Sequence, residues 1–165
     1  MKIHITGNAG AGKTMTARKI GNELGLQVFG LDKIVWQAGW VKSPPDVRAA
    51  ALQALISMDD WVIEGVSDTV RNAADIIIFL DVSRATSYWR CTKRNWKYLF
   101  RSRPELPENC PEILIIPRLL KLIWRFKTNV RPKILADIAK RPERSFVIKD
   151  EHALDRLCHD LTPAY

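Results

Sequence analysis

The chain has 165 residues, 47% of them hydrophobic and 27% charged, and a formal net charge of +8 at pH 7. This length favours one domain over residues 1–165, and no apolar run is long enough for a membrane span, so we expect a cytoplasmic protein without membrane contact. The spacing of Cys91, Cys110 and Cys158 supports neither a disulfide framework nor a zinc site.

The first predicted strand, residues 2–6, leads into a phosphate-binding loop. The pattern G-x-x-x-x-G-K-[ST] is complete, and a helical stretch over residues 13–24 follows it as the mechanism requires. Backbone N–H groups of such a loop bind phosphates, the lysine neutralises β- and γ-oxygens, and the threonine ligates Mg²⁺. A glycine-rich turn without a ligand is the alternative. We expect ATP to contact the whole loop: Gly7, Asn8, Ala9, Gly10, Ala11, Gly12, Lys13 and Thr14.

Short apolar runs alternate with helical stretches along the rest of the chain. In order, we expect a strand at 27–29, a helix at 45–58, a strand at 61–63, a short connection, a strand at 76–80, a long basic helical region, a strand at 145–148 and a helix at 151–161. Five apolar strands interleaved with helices predict an α/β fold of three layers, with a parallel sheet covered on both faces. His4 lies within the first strand and is expected in the core.

Three acidic residues follow predicted strands. Asp32, Glu64 and Asp81 therefore point to the carboxyl edge of the sheet, where ligands bind in open parallel sheets. We assign Mg²⁺ to Thr14 and Glu64, since a carboxylate beside a phosphate loop commonly holds that ion. Asp81 is expected to cap or turn the chain. Asp32 either orients or deprotonates an acceptor hydroxyl, or it only forms a turn after Gly30.

The basic excess is confined to one segment. Residues 84–144 hold 16 Lys and Arg against 5 Asp and Glu. Arg90 and Arg94 are one helical turn apart, so they lie on one helix face and could clamp a transferring phosphoryl group; exposed helix arginines are the alternative. Three prolines mark residues 101–111 as a loop, which we interpret as a short lid.

Other basic and aromatic side chains in this segment are candidates for binding. Arg125 and Arg131, beyond the predicted lid, are expected to assist substrate binding. Trp89 and Trp96 alternate with basic residues, a pattern that suits stacking on single-stranded nucleic acid and equally suits helix packing. We therefore expect at most weak, non-specific nucleic-acid binding.

Several short motifs, in the order in which they occur in this chain, resemble those of the DNA topology modulation protein family, which is related to adenylate kinase. Besides the loop, they are Leu31-Asp32, Trp36 with Gly39-Trp40, Trp61-Val62-Ile63-Glu64-Gly65, Arg90-Cys91-Thr92-Lys93-Arg94, Arg101-Ser102-Arg103-Pro104 and Trp124-Arg125-Phe126. The resemblance spans nearly the whole chain. It implies a nucleotide-kinase-like P-loop fold with strand order 2-3-1-4-5 and a short basic lid.

Adenylate kinase itself matches in part. Glu64-Gly65 resembles the Asp-Gly before its acceptor motif, and Arg90 and Arg94 resemble its lid-border arginines. The acceptor arginine is displaced or absent, and Arg71 is our candidate for that role. Trp36 and Trp40 occupy the region where nucleotide kinases bind a monophosphate. They either stack on a ring of the substrate or pack in the core. Trp40 is our candidate for substrate binding.

Two classes of function follow. The first is an ATP- and Mg²⁺-dependent kinase that acts on a small hydroxyl compound such as a nucleoside or nucleotide, with Lys13, Arg90, Arg94 and Asp32 as catalytic residues. The second is an NTP-binding regulator associated with nucleic acid, as the family's name suggests. The basic segment is the main support for the second class, and a basic patch is weak evidence by itself.

Overall fold

The computed structural model describes residues 1–97 and 110–161. Its strands are β1 (Lys2–Gly7), β2 (Val28–Gly30), β3 (Trp36–Gln37), β4 (Val41–Lys42), β5 (Trp61–Glu64), β6 (Ile76–Leu80) and β7 (Ser145–Ile148). Its α-helices are α1 (Lys13–Leu24), α2 (Asp32–Val35), α3 (Pro45–Ile56), α4 (Asp68–Ala73), α5 (Arg84–Lys97), α6 (Ile116–Asn129), α7 (Arg131–Ala139) and α8 (Glu151–Leu161). None of the described helices is both long and apolar enough to cross a bilayer.

Five strands form one parallel sheet in the order β2-β5-β1-β6-β7. Numbered among themselves, these strands have the expected order 2-3-1-4-5. The register places Ile5 beside Glu64 and Gly7 beside Leu80. Because β1 is central, the loop that follows it lies between the carboxyl ends of β5 and β6.

Helices cover both faces of the sheet, which confirms the three-layer α/β fold. Ile3, Ile5 and Val62 pack on one face with residues of α1 and α8. On the opposite face, Trp61 and Ile63 pack with α3 and α4, and Phe79 packs with α6 and α7. Side chains alternate across a strand, so strands with few polar residues can contribute to both of these cores.

Local sequence signals define several helix ends. Gly25 adopts a left-handed conformation (φ 65°) after α1, as helix C-termini commonly require. Pro45 occupies the first turn of α3, where its missing N–H costs no hydrogen bond. The Ser67 hydroxyl caps α4 by accepting a hydrogen bond from the Val70 N–H at 3.3 Å.

Two stretches differ from the sequence-based expectation. The stretch after β2 forms α2 and an antiparallel hairpin, β3–β4, in which Trp36 pairs with Lys42. The connection between β5 and β6 contains α4. The predicted lid falls largely outside the described residues, which resume at Cys110.

Candidate active site

The phosphate loop occupies the carboxyl edge of the sheet, between β1 and α1. Gly10 and Gly12 have φ values of 74° and 100°, in the left-handed region that favours glycine. A Cβ on Gly10 would lie 2.6 Å from the Ser87 carbonyl oxygen and 2.9 Å from the Cys91 sulfur. Only glycine therefore allows the loop to lie this close to α5.

Hydrogen bonds within the loop organise Lys13. The Lys13 ammonium donates to the Asn8 carbonyl at 3.0 Å, and the Ala11 N–H donates to the same oxygen at 3.2 Å. The buried Asn8 side chain donates to the Ile123 carbonyl at 3.1 Å and accepts from the Ala9 N–H at 2.8 Å. Asn8 thus joins the loop to α6, a contact that the motif alone does not reveal.

Thr14 and Glu64 are in direct contact at the start of α1. The Thr14 hydroxyl donates to Glu64 Oε1 at 2.9 Å, and only 8% of Glu64 is exposed. A hydroxyl and a carboxylate are oxygen ligands of the kind that Mg²⁺ prefers, and the ion commonly takes its other ligands from phosphates and water. In the described part of the chain, no group of three His, Cys, Asp or Glu side chains forms a metal site. The Thr14–Glu64 pair thus offers two such oxygen ligands.

A cavity of about 350 Å³ opens on one side of the loop; we call it the hairpin cavity. The loop, the β3–β4 hairpin and the beginning of α6 form its walls. Eight of the predicted site residues line this cavity: Gly7, Ala9, Gly10, Lys13, Thr14, Asp32, Trp40 and Glu64. Asp32 is exposed and begins α2, next to Leu31, whose N–H donates to the Glu64 carbonyl at 3.0 Å.

A second cavity, of about 320 Å³, lies beside Ala11 and Gly12; we call it the Met15 cavity. Its lining is mostly apolar and includes Leu80, Ile148 and Leu154. Arg90 also lines it and donates from Nη1 to the Ala11 carbonyl at 3.3 Å. Arg90 therefore reaches the phosphate loop, whereas the side chain of Arg94 lies outside the described residues.

Three other predicted binding residues do not line either cavity. Arg71 is 1% exposed; it donates from Nε to Asp137 at 2.8 Å and from Nη2 to Asp68 at 2.6 Å. Arg131 donates to both carboxylate oxygens of Asp81, at 2.9 and 2.7 Å, which raises the pKa of Arg131. Arg125 is exposed on α6.

His4 is buried below the site, as expected for a core residue. Burial is the main reason that its pKa is lowered to about 3, and the nearby cations Arg71 and Lys13 lower it further. The contact of 3.1 Å with the Gly65 carbonyl requires the proton on Nε2, while Nδ1 has no partner among the described residues. His4 is therefore neutral at physiological pH.

Several lining residues escaped the sequence-based reasoning. In the hairpin cavity they are Lys42 and Arg118; in the Met15 cavity they are Met15, Lys149 and Asp150. Lys149 and Asp150 directly follow β7, so the strand-end argument that identified Glu64 applies to them also. Lys42 and Arg118 had no comparable signal, since the hairpin was not predicted.

Comparisons with known proteins establish the fold. No family model matches the chain, and no curated protein does. A deoxyadenosine kinase from M. mycoides with bound dATP is similar in structure, with a TM-score of 0.54 and 18% identity over 99% of this chain and 100% of that one. A shikimate kinase from Acinetobacter baumannii in complex with shikimate has a TM-score of 0.56 and 18% identity over 97% and 89%.

A sugar kinase from Janibacter is also similar, with a TM-score of 0.54 and 15% identity over 96% of this chain and 92% of that one. At these identities the similarity shows the fold, which is that of P-loop kinases. The resemblance to the DNA topology modulation family stays a prediction.

Proposed function

We propose that the protein is an ATP-dependent kinase that phosphorylates a hydroxyl group of a small molecule. The observation that carries this proposal is the phosphate loop between two cavities, with the Thr14–Glu64 pair at its base. The Met15 cavity is mostly apolar and adjoins Gly12, which suits a nucleotide base. The hairpin cavity contains Asp32 and suits the acceptor.

The residues divide the chemistry between them. Loop N–H groups and Lys13 bind the β- and γ-phosphates, and Arg90 and Arg94 stabilise charge on the transferred group. The acceptor oxygen forms a bond to the γ-phosphorus, the bond to the β–γ bridging oxygen breaks, and ADP leaves with that electron pair. Asp32 takes the proton of the hydroxyl. Thr14 and Glu64 would hold Mg²⁺, which supplies positive charge beside the phosphates when bound.

Binding of Mg·ATP to the loop is the first test. Calorimetry should show micromolar-to-millimolar affinity in the wild type, strong weakening in Lys13→Ala, and wild-type affinity in Lys133→Ala, which removes an exposed lysine of α7. In Glu64→Gln, added Mg²⁺ should increase ATP affinity less than in the wild type. Equal ATP affinity in the wild type and Lys13→Ala would contradict the proposal.

A second function, single-stranded nucleic-acid binding, has one specific observation in its favour. Trp89, Trp96 and Trp124 are 69%, 82% and 61% exposed, so these side chains do not pack in the core. They lie on α5 and α6, helices that contain no Asp or Glu, and the Arg84 guanidinium lies 4.5 Å from the ring centroid of Trp124. Exposed aromatic rings among cations can stack on bases and bind phosphates.

Fluorescence anisotropy of a labelled single-stranded oligonucleotide tests this second function. We expect weak binding whose affinity falls steeply with salt and falls further in Trp96→Ala. Binding that is independent of salt and of Trp96 would exclude this surface.

A further inference from the structure

The titratable side chains of the hairpin cavity outnumber those that ATP requires. Five such side chains line it: Lys13, Asp32, Lys42, Glu64 and Arg118. In the proposed kinase function, on which this inference rests, Lys13 and Glu64 serve the nucleotide and its metal. Asp32 serves the acceptor hydroxyl. Two cations, Lys42 and Arg118, then have no role in binding ATP or in accepting the proton.

The exposed Arg118 side chain lies against an aromatic wall. Its guanidinium carbon lies 5.1 Å from the ring centroid of Trp36, within the range of a cation–π contact. Trp36 packs edge-to-face on Trp40, with centroids 5.3 Å apart at 85°. The Trp40 indole N–H donates to the Pro111 carbonyl at 2.9 Å, which fixes that ring in turn. Trp40 is also the one described non-glycine residue with a positive φ, of 60°.

Lys42 lies on β4, the second strand of the hairpin. It pairs with Trp36 across the antiparallel hairpin, and residues directly opposite one another project from the same face. The Trp36 ring therefore has the Arg118 guanidinium of α6 against it, and Lys42 of β4 projects from the same face of the hairpin as Trp36. Among the described residues neither cation has an acidic partner, in contrast to Arg71 and Arg131, which bond to aspartates.

This arrangement suits an anionic group of the acceptor. A guanidinium presents paired N–H donors that match a carboxylate or a phosphate, and stacking on an aromatic ring orders the group before binding. The cavity volume of about 350 Å³ lies near the lower limit of ligand sites. Part of this space adjoins the phosphate loop, so the acceptor must be small.

We infer that the acceptor is a small hydroxyl compound with one anionic group, a carboxylate or a phosphate monoester, which Arg118 and Lys42 bind beside Trp36. Its hydroxyl faces Asp32, which takes the proton as the oxygen bonds to the γ-phosphorus and ADP leaves. A neutral nucleoside offers these two cations no anionic partner. Arg118 and Lys42 thus determine specificity.

Three probes of graded chemistry test the inference: shikimate for a carboxylate, dAMP for a phosphate monoester and deoxyadenosine for a neutral compound. Calorimetry is performed with saturating Mg²⁺ and a non-hydrolysable ATP analogue, so that the nucleotide site is occupied. We expect shikimate or dAMP to bind and deoxyadenosine to bind much more weakly. Arg118→Gln and Lys42→Gln should each weaken binding of the anion about tenfold to a hundredfold.

Arg144→Gln is the matched control, because it removes an exposed arginine just before β7, at the opposite edge of the sheet. Whichever of shikimate and dAMP responds to Arg118→Gln identifies the kind of anion. Binding of deoxyadenosine as tight as that of the anions, wild-type affinity in Arg118→Gln, or no binding of either anion would overturn the inference. Affinity for the ATP analogue is measured in a separate titration. Loss of that affinity would contradict the kinase proposal and not the inference about the acceptor.

Discussion

Replacing Asp137 by Asn should lower the free energy of unfolding by about 3 kcal/mol, because it removes the main charge partner of a buried arginine. Arg71 is 1% exposed, whereas Asp137 is 21% and Asp68 is 70% exposed. Breaking a buried ion pair costs about 3–5 kcal/mol. Asp137 keeps some solvent contact and Asn retains an acceptor oxygen, which favours the lower end of that range.

Urea unfolding measures this free energy, and thermal unfolding supplies a second value. For a chain of this length, 3 kcal/mol corresponds to a Tm lower by about 6–12 °C. Asp68→Asn is the matched control: its carboxylate bonds to the same guanidinium from an exposed position, so its loss should cost at most about 1 kcal/mol. Affinity for Mg·ATP should stay unchanged in both variants.

The comparison decides between two roles of Arg71. If Arg71 mainly joins α4 to α7, Asp137→Asn destabilises the protein far more than Asp68→Asn does. Equal stability of the two variants, with acceptor binding altered in Asp137→Asn, would refute this reasoning and restore Arg71 as an acceptor residue.

Three further predictions concern other parts of the molecule. Arg90→Ala should lower the kcat of acceptor-stimulated ADP release about 10²-fold or more. Because Arg90 also lines the Met15 cavity, ATP affinity should fall too, but much less than kcat; an unchanged kcat would leave Arg90 without a catalytic role. Gly10→Ala should cost about 2–4 kcal/mol in urea unfolding, because its Cβ would lie 2.6 Å from the Ser87 oxygen. Gly25→Ala, with a similar φ and open space around it, should cost only about 1 kcal/mol, and equal losses would contradict the steric argument. The pKa of His4 is lowered from 6.5 in the unfolded chain to about 3 in the folded protein. As the pH falls below 6.5, the unfolded chain therefore binds a proton that the folded protein does not bind. The free energy of unfolding should decrease by about 1.4 kcal/mol per pH unit until the pH reaches about 3. Urea unfolding at a series of pH values should show that the free energy of unfolding falls less steeply with decreasing pH in His4→Gln than in the wild type or His152→Gln. Equal pH dependence in all three proteins would show that His4 does not cause the loss of stability.

The parts of the fold predicted from sequence are those with local signals. β6 and β7 are short, mostly apolar runs, and the loop motif locates β1 before it and α1 after it. The sequence placed Thr14 and Glu64, 50 residues apart, at one edge of the sheet because carboxyl ends of parallel strands share an edge, and in the structure the two side chains are in contact. This argument uses topology and needs no side-chain detail.

The hairpin and the ion pairs lacked such signals. β3 and β4 contain two residues each, too few for an alternating pattern to be recognised, and their turn places Trp40 in a left-handed conformation. Arg71 was expected at the acceptor, but its partner Asp137 lies 66 residues away on α7. Sequence spacing contains no information on such a pair. The cations beside Trp36 were missed for the same reason.

Transfer of a labelled γ-phosphoryl group tests the kinase proposal most directly. The wild type and Lys13→Ala are each incubated with labelled Mg·ATP and a mixture of small hydroxyl compounds, and the products are separated. The account predicts label in an organic phosphate ester with the wild type and almost none with Lys13→Ala. Label found only as inorganic phosphate, or equal ester formation by both proteins, would contradict it.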